Sequence, residues 1–150
     1  LYKIGRLQGF QVVVFDERPE LASEERFPDA QLIVVDDLPA RLKAYEFNPD
    51  CYVTIATSSH ETDRLALEAV IESNASYIGM IGSSNKIRKI FDYLLARGIP
   101  KEKIEKVFAP MGLNIASILP GEIAISIIGE ILLVKNDGSP EHMRAVKKLL

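Results

Sequence analysis

Four short apolar runs alternate along the chain with segments in which apolar residues recur every three or four positions. The runs cover residues 11–16, 31–36, 51–57 and 77–81. They are rich in β-branched and aromatic residues, and they are too short to be buried helices, so they predict β-strands. The periodic segments predict amphipathic helices. Strands that alternate with helices indicate an α/β fold with a parallel sheet.

The predicted helices have recognisable start and stop signals. Residues 1–8 are typical of the last part of a helix that ends at Gly9, and Asp37 is expected to cap the helix after the second strand. Ser58 and Glu61 have the spacing of a capping box. Other expected helical segments are 21–26 (a short helix or a turn), the segment carrying Ile87 to Leu95, residues 100–107, and a helix with Pro120 in its first turn.

The order of strands and helices predicts a Rossmann-like, doubly wound parallel sheet over residues 1–136. Residues 137–150 are expected to form a helical extension with Met143, Val146, Leu149 and Leu150 on one side. The glycine-rich loop of such folds follows the first strand, and no such loop is found here. Because the first strand is central in this topology, we expect a gap in the sheet. It would be filled by residues upstream of Leu1 or by another chain.

Composition restricts the class of protein. The 150 residues are 47% hydrophobic and carry a net charge of -3 without any basic block, which disfavours broad nucleic-acid binding. The most apolar run, 118–134, contains Pro120, Gly121, Glu122 and Glu130 and therefore predicts a buried helix rather than a membrane span. Apolar residues cover more than one face of that helix, so part of it is expected to contact a second layer or a partner subunit.

The single cysteine, Cys51, fits a reducing compartment, and we expect a cytoplasmic protein. Neither histidine has a second histidine or a cysteine at ligand spacing, so no protein metal site is expected.

The segment 77–86 carries the strongest candidate for ligand binding. A buried strand ends at Gly82, and Ser83 and Ser84 are candidate caps of the following helix. The N-terminus of a helix binds anions, and Lys86 is expected to be exposed and to add a point charge. An ordinary capped strand-to-helix loop explains the same residues equally well.

Three more segments are placed at the carboxyl ends of predicted strands. Asp16 and Arg18 follow the first of them, where dinucleotide-binding folds place a ribose-binding acid, although a solvated ion pair is the alternative. His60 lies in the segment 57–63 and is a weak candidate for a catalytic group. The uncharged loop 109–115 either lines a pocket or is a buried connection.

Five segments in order resemble the carboxyl-terminal domain of the XdhC/CoxI family, whose members are accessory factors for molybdenum hydroxylases such as xanthine dehydrogenase. They read VVVFDERPELASEERFP, TSSHETD, YIGMIGSSNK, APMGLNIAS and PGEIAISIIGE. The resemblance implies a Rossmann-like domain that, together with an amino-terminal domain, binds the molybdenum cofactor. It also implies that the cofactor is held while its metal centre is sulfurated, with a cysteine desulfurase as a partner, and is then handed to the apo-enzyme. Family members are often homodimers.

Carried onto this sequence, the resemblance assigns cofactor binding to four segments. The candidate residues are Asp16, Arg18, Thr57, Ser58, His60, Asp63, Gly79, Gly82, Ser83, Ser84, Lys86, Pro110, Gly112 and Asn114. Glu122 and Glu130 lie in the helix motif of the family and are expected to have a structural role. The sequence departs from the family at Ser58, where histidine is usual, at Asn114, where aspartate is usual, and at Ser84 and Asn85, where basic residues are common.

Three functions remain open at this point. The first is a carrier of the molybdenum cofactor that turns over no substrate itself. The second is an NAD(P)-dependent oxidoreductase on the same fold, with His60 as the proton donor. The third is an interaction module that uses the helix in 118–134 to bind a partner.

Overall fold

A computed structural model describes residues 1–34 and 36–147 of the chain. The elements in chain order are α1 (Tyr2–Leu7), β1 (Val13–Asp16), β2 (Gln31–Val34), α2 (Leu38–Ala44), β3 (Tyr52–Ile55), α3 (His60–Val70), β4 (Tyr77–Met80), α4 (Ser84–Ala96), α5 (Lys101–Ile104), α6 (Pro120–Lys135) and α7 (Met143–Val146). Strands and helices alternate except between β1 and β2, which turns connect, and the fold class is confirmed.

The strands form two parallel pairs. β1 pairs with β2, with Val13 opposite Gln31, and β3 pairs with β4, with Tyr52 opposite Tyr77. The second pair continues on its far side, because Phe108 lies beside β4 and forms an isolated parallel bridge to Gly79.

The gap predicted from the topology separates these two pairs. In the part of the chain that the structure describes, β1 is not paired with β3, and a cavity of about 710 Å³ lies between them. All four residues of β4 are buried, whereas those of β1 are only partly buried. The sheet therefore has an unpaired edge on each side of the cavity, as expected for a doubly wound sheet without its central strand.

Apolar side chains cover both faces of the β3–β4 pair, as parallel sheets require. Ile78 and Met80 pack in one core cluster with residues of α2, α3 and α4, whereas Tyr77 packs in a second cluster with Ile127 and Ile131 of α6. Successive residues of β4 point to opposite faces, which explains how one strand contributes to both clusters.

The caps of the helices are partly as predicted. The Asp37 carboxylate accepts a hydrogen bond from the Ala40 amide at 2.9 Å, which confirms its role at the start of α2. The expected capping box at Ser58 is wrong, because α3 begins one residue later and its cap is Ser59. The Ser59 hydroxyl accepts a bond from the Thr62 amide at 2.9 Å, whereas Glu61 pairs with Arg64.

The segments with weaker helix signals are short or irregular. Residues 21–26, expected to be a short helix or a turn, form turns. α7 is four residues long, and Met143 and Val146 are exposed. Leu149 and Leu150, expected on the same side, lie outside the described residues. No helix among residues 1–34 and 36–147 has the length and apolar character needed to cross a membrane.

Candidate functional site

The carboxyl ends of β3, β4 and the segment at Phe108 lie side by side. The Ile81 amide donates to the Ile55 carbonyl at 3.0 Å, and the Met80 amide donates to the Phe108 carbonyl at 2.9 Å. The loops that follow these three segments therefore leave the sheet at one edge, which is where open α/β sheets bind ligands. These loops contain most of the site residues predicted from the sequence.

A buried carboxylate joins the first two of these loops. Asp63 is completely buried, and its Oδ1 accepts bonds from the Thr57 amide at 2.9 Å and the Thr57 hydroxyl at 2.7 Å. Its Oδ2 forms an ion pair with Lys86 Nζ, and the same ammonium lies 3.3 Å from the Ile81 carbonyl oxygen. The Lys86 side chain is only 11% exposed. The expectation that Lys86 is an exposed charge is therefore wrong.

Two glycines at this edge make room for side chains. A Cβ atom on Gly82 would lie 2.9 Å from Cδ of Lys86, so glycine here lets the lysine fold back across the loop towards Asp63. A Cβ atom on Gly79 would lie 2.5 Å from the hydroxyl oxygen of Tyr77. Both glycines were predicted as ligand-contacting residues, and the structure gives each of them a packing role as well.

The Tyr77 hydroxyl donates a hydrogen bond to Glu130 Oε2 at 2.7 Å across the interface between β4 and α6. Burial, and then the bond to Glu130, raises the pKa of Tyr77 above its ordinary value, so the phenol stays protonated and remains a donor. The Gly112 amide donates to the same Glu130 oxygen at 2.9 Å. Glu130 thereby connects the third loop to β4.

Asp16 and Arg18 form a closed pair at the end of β1. Arg18 donates from Nε to Oδ1 at 2.8 Å, from Nη2 to Oδ2 at 3.0 Å and from its backbone amide to Oδ1 at 3.0 Å. The side-chain bonds from Arg18 are the main reason why the pKa of Asp16 lies below its ordinary value. Arg18 thus engages both oxygens, but Oδ2 accepts only one of these bonds and can accept another donor beside Arg18.

The structure places eleven of the fourteen predicted residues in three groups. Asp16, Arg18, Thr57 and Ser58 line the cavity between β1 and β3. Asp63, Gly82, Ser83 and Lys86 belong to the connection between the starts of α3 and α4, where Ser83 caps α4 through the Lys86 amide. Pro110, Gly112 and Asn114 lie in the loop held by Glu130. His60 and Ser84 are the exposed first residues of α3 and α4, and Gly79 is buried in β4.

Three residues that organise the site were missed as site residues. Ser59, Tyr77 and Glu130 each make a hydrogen bond that fixes a loop or a helix start. A sequence signal existed for two of them, since a tyrosine in a buried strand and a glutamate in an apolar helix both require polar partners. Among the described residues, no group of three or more histidine, cysteine, aspartate or glutamate side chains is arranged to hold a metal ion.

Fold and site together define a Rossmann-type domain whose candidate binding loops meet at the carboxyl edge of a parallel sheet. The chain belongs to the XdhC family, because the family described as "XdhC Rossmann domain" matches residues 1–131. This result confirms the resemblance recognised in the sequence.

Individual relatives agree with this assignment. The chain is 36% identical over 132 residues to the uncharacterized protein YqeB of Escherichia coli, and 28% identical over 124 residues to a probable xanthine dehydrogenase subunit of Bacillus subtilis. It also resembles the crystal structure of a xanthine dehydrogenase from Bacillus halodurans, with a TM-score of 0.76 and 30% identity.

The similarity covers most of this chain but a minor part of each relative. It includes 87% of the chain and 24% of the Escherichia coli protein, and 83% of the chain and 36% of the Bacillus subtilis protein. For the Bacillus halodurans structure the values are 97% and 41%. The matched region is thus one part of larger proteins.

Proposed function

We propose that this domain binds the molybdenum cofactor and helps deliver it to a molybdenum hydroxylase such as xanthine dehydrogenase. Membership in the XdhC family and the names of two relatives support an accessory role connected with xanthine dehydrogenase. The observation that carries the proposal is the convergence of three loops at the carboxyl edge of β3, β4 and Phe108. These loops contain the residues that the family resemblance assigns to the cofactor.

The proposed phosphate position is the N-terminus of α4. This helix has 13 residues, and its first residues, Ser84 and Asn85, are exposed. Free amides and the helix dipole favour an anion at such an end. Because Lys86 is already paired with Asp63, its charge is largely compensated, and the amides become the main attraction for the phosphate. The pterin would then lie in the cleft towards His60 and Asn114.

The contacts of Asp16 neither favour nor exclude the alternative of an NAD(P)-dependent oxidoreductase. In dinucleotide-binding folds the equivalent acid accepts bonds from a ribose, and here Arg18 donates to both carboxylate oxygens while Oδ2 can accept a further bond. A nicotinamide nucleotide therefore remains an outcome of the binding experiment rather than a second proposal.

The experiment is native mass spectrometry of the full-length protein, purified from a host that makes the molybdenum cofactor. The proposal predicts a bound pterin mass. Ser84→Asp should reduce its occupancy, because it places a negative charge beside the phosphate without removing a buried contact. Gly121→Asp, in the exposed first turn of α6, is the matched control and should leave occupancy unchanged. A protein that carries no pterin, or one that carries a nicotinamide nucleotide, would contradict the proposal.

The proposal includes a homodimer, and transient complexes with the hydroxylase apo-enzyme and a cysteine desulfurase. The support within this domain is the exposure of three large apolar side chains before and within the first turns of α6, Ile118, Leu119 and Ile125. Surfaces of this kind mark contact sites in many proteins. Sedimentation of the full-length protein tests the dimer, and Ile118→Glu should shift it towards the monomer. A monomeric wild-type protein would remove this part of the proposal.

A further inference from the structure

The loop at residues 110–114 packs on Ser126 and Gly129 of α6. A Cβ atom on Gly112 would lie 2.6 Å from the Ser126 hydroxyl oxygen, and Cδ1 of Leu113 lies 3.1 Å from the position of a Cβ on Gly129. The Leu113 amide donates to the Ser126 carbonyl at 3.2 Å. Small residues at 126 and 129 therefore let the loop backbone approach the helix closely.

Glu130 completes this surface with a charge. It follows Gly129 directly in a helix that is otherwise apolar from Ile127 to Val134 apart from that glycine. One oxygen, Oε2, accepts bonds from the Gly112 amide and the Tyr77 hydroxyl, which are 18 and 53 residues away in sequence. A carboxylate that accepts two bonds is satisfied in a partly buried site, and such charge-assisted bonds are about twice as strong as neutral ones.

Tyr77 fixes the position of that carboxylate. Its ring stacks on Phe108 with centroids 4.6 Å apart, and the side chain is almost completely buried. The absence of a side chain on Gly79 leaves room for the hydroxyl above the strand. The Tyr77 hydroxyl is therefore a rigid donor, and it orients Glu130 towards Gly112.

We propose that Glu130 is a positioning residue, which with Tyr77 holds the loop at 110–114 so that Asn114 faces the ligand. The inference rests on the proposed function, since it assigns Asn114 to the same ligand site. Asn114 follows the fixed Gly112–Leu113 pair directly and is itself exposed. Loss of the Glu130 contact releases the backbone segment that contains Asn114. It removes no atom that touches the ligand.

The first measurement is hydrogen exchange of the Gly112 and Leu113 amides in the full-length protein. In Glu130→Leu the Gly112 amide should exchange at least about tenfold faster, because its hydrogen bond to a charged group is lost. The Leu113 amide should also exchange faster, because release of the loop weakens its bond to the Ser126 carbonyl. Glu130→Gln keeps an oxygen that can accept both bonds and should retain protection. Glu122→Leu is the matched control on the same helix. Within residues 1–34 and 36–147, Glu122 accepts bonds from Ile118 and Leu119 only, so exchange at Gly112 should not change.

The second measurement is the affinity for molybdenum cofactor released anaerobically from a purified molybdenum hydroxylase. Glu130→Leu should bind at least about tenfold more weakly, and Glu130→Gln should bind like the wild type. Tyr77→Phe keeps the packed ring and should give an intermediate loss in both measurements. If Glu130→Leu does not fold, the exchange rates and affinities of Tyr77→Phe and Glu130→Gln still test the inference.

Two results would overturn the inference. Unchanged exchange at Gly112 in folded Glu130→Leu would show that the contact does not hold the loop. Faster exchange with unchanged affinity would show that the loop position is irrelevant to the ligand. A wild-type protein that binds no cofactor would reject the proposed function and the ligand part of the inference, whereas exchange would still report whether Glu130 holds the loop.

Discussion

Lys86 and Asp63 form an ion pair that links the first turn of α4 to the first turn of α3. Asp63 is completely buried and also accepts two bonds from Thr57, so three segments depend on one carboxylate. Removal of one partner from a buried pair leaves an uncompensated charge, which costs far more than the pair itself contributes. The charged residues of the candidate site thus have a structural role first.

Lys86→Met should lower the free energy of unfolding by about 3 to 5 kcal/mol, because Asp63 is left buried and unpaired. The double variant with Asp63→Asn should recover part of this loss, with a coupling energy of about 1 kcal/mol or more. Urea unfolding of the wild type, Lys86→Met, Asp63→Asn and the double variant measures this coupling energy. Lys89→Met, an exposed position on the same helix, should change stability by less than about 0.5 kcal/mol. Equal losses of stability in Lys86→Met and Lys89→Met would show that the ion pair between Lys86 and Asp63 does not stabilise the fold.

Alanine substitutions of the two serines before α3, Ser58 and Ser59, should change the stability of the protein by different amounts. Ser59→Ala removes the cap that accepts the Thr62 amide and should cost about 1 kcal/mol. Ser58→Ala should be nearly neutral for stability, because Ser58 lines the cavity and does not cap the helix. Thermal unfolding of both variants tests this difference. A larger loss at Ser58 would place the helix start one residue earlier than the structure does.

Three glycine-to-alanine substitutions separate backbone strain from crowding. Gly112 has φ +107°, and a Cβ atom on it would lie 2.6 Å from the Ser126 hydroxyl oxygen. Gly98 has φ +85°, but open space surrounds it. Gly121 has neither a positive φ nor a close neighbour. We expect Gly121→Ala to stabilise by about 0.5 kcal/mol, Gly98→Ala to destabilise by about 1 kcal/mol, and Gly112→Ala to destabilise most. Chemical unfolding of the three variants measures the order of their stabilities. Equal losses at 98 and 112 would show that the Ser126 contact relaxes without cost.

The sequence predicts the elements of this fold well because their signals are local. Gly82 and Ser83 stand directly between a buried strand and a helical repeat, so the start of α4 is predicted correctly, and its cap is Ser83, one of the two candidates. The missing central strand is also predictable, since the order of elements implies a place in the sheet that the described residues do not fill. The start of α3 is less determined, because Ser58 and Ser59 are equally suitable caps.

Long-range polar contacts are the part that the sequence could not supply. Lys86 meets Asp63 across 23 residues, and Tyr77 meets Glu130 across 53 residues. The local sequence pattern predicts that Lys86 is a surface charge, because a lysine near the start of a helix is usually solvated. Which polar groups meet inside the fold depends on the packing of strands and helices, and the spacing along the chain does not encode it.

The contribution of Asp16 to stability should depend on pH. Its folded-state pKa lies below the ordinary value of 3.8, mainly because Arg18 donates to it, so the stabilisation is complete well above pH 3.8 and is lost as the pH falls towards the lowered pKa. The Arg18 side chain is 41% exposed, which limits the effect to less than about 1 kcal/mol. Asp16→Asn keeps an oxygen for the Arg18 amide, removes the charge, and replaces the oxygen that accepts from Arg18 Nη2 by an amide nitrogen.

Urea unfolding of the wild type and Asp16→Asn between about pH 6 and about pH 3 measures this dependence. The wild type should be more stable at the upper end, and the difference between the two proteins should shrink towards the lower end, as the pH passes 3.8 and approaches the lowered pKa of folded Asp16. Arg18→Gln should remove the same increment, and the double variant should lose no more than either single variant. A constant difference across the whole range would mean that the variant acts through packing, because a charge interaction with Arg18 must disappear when Asp16 is neutral.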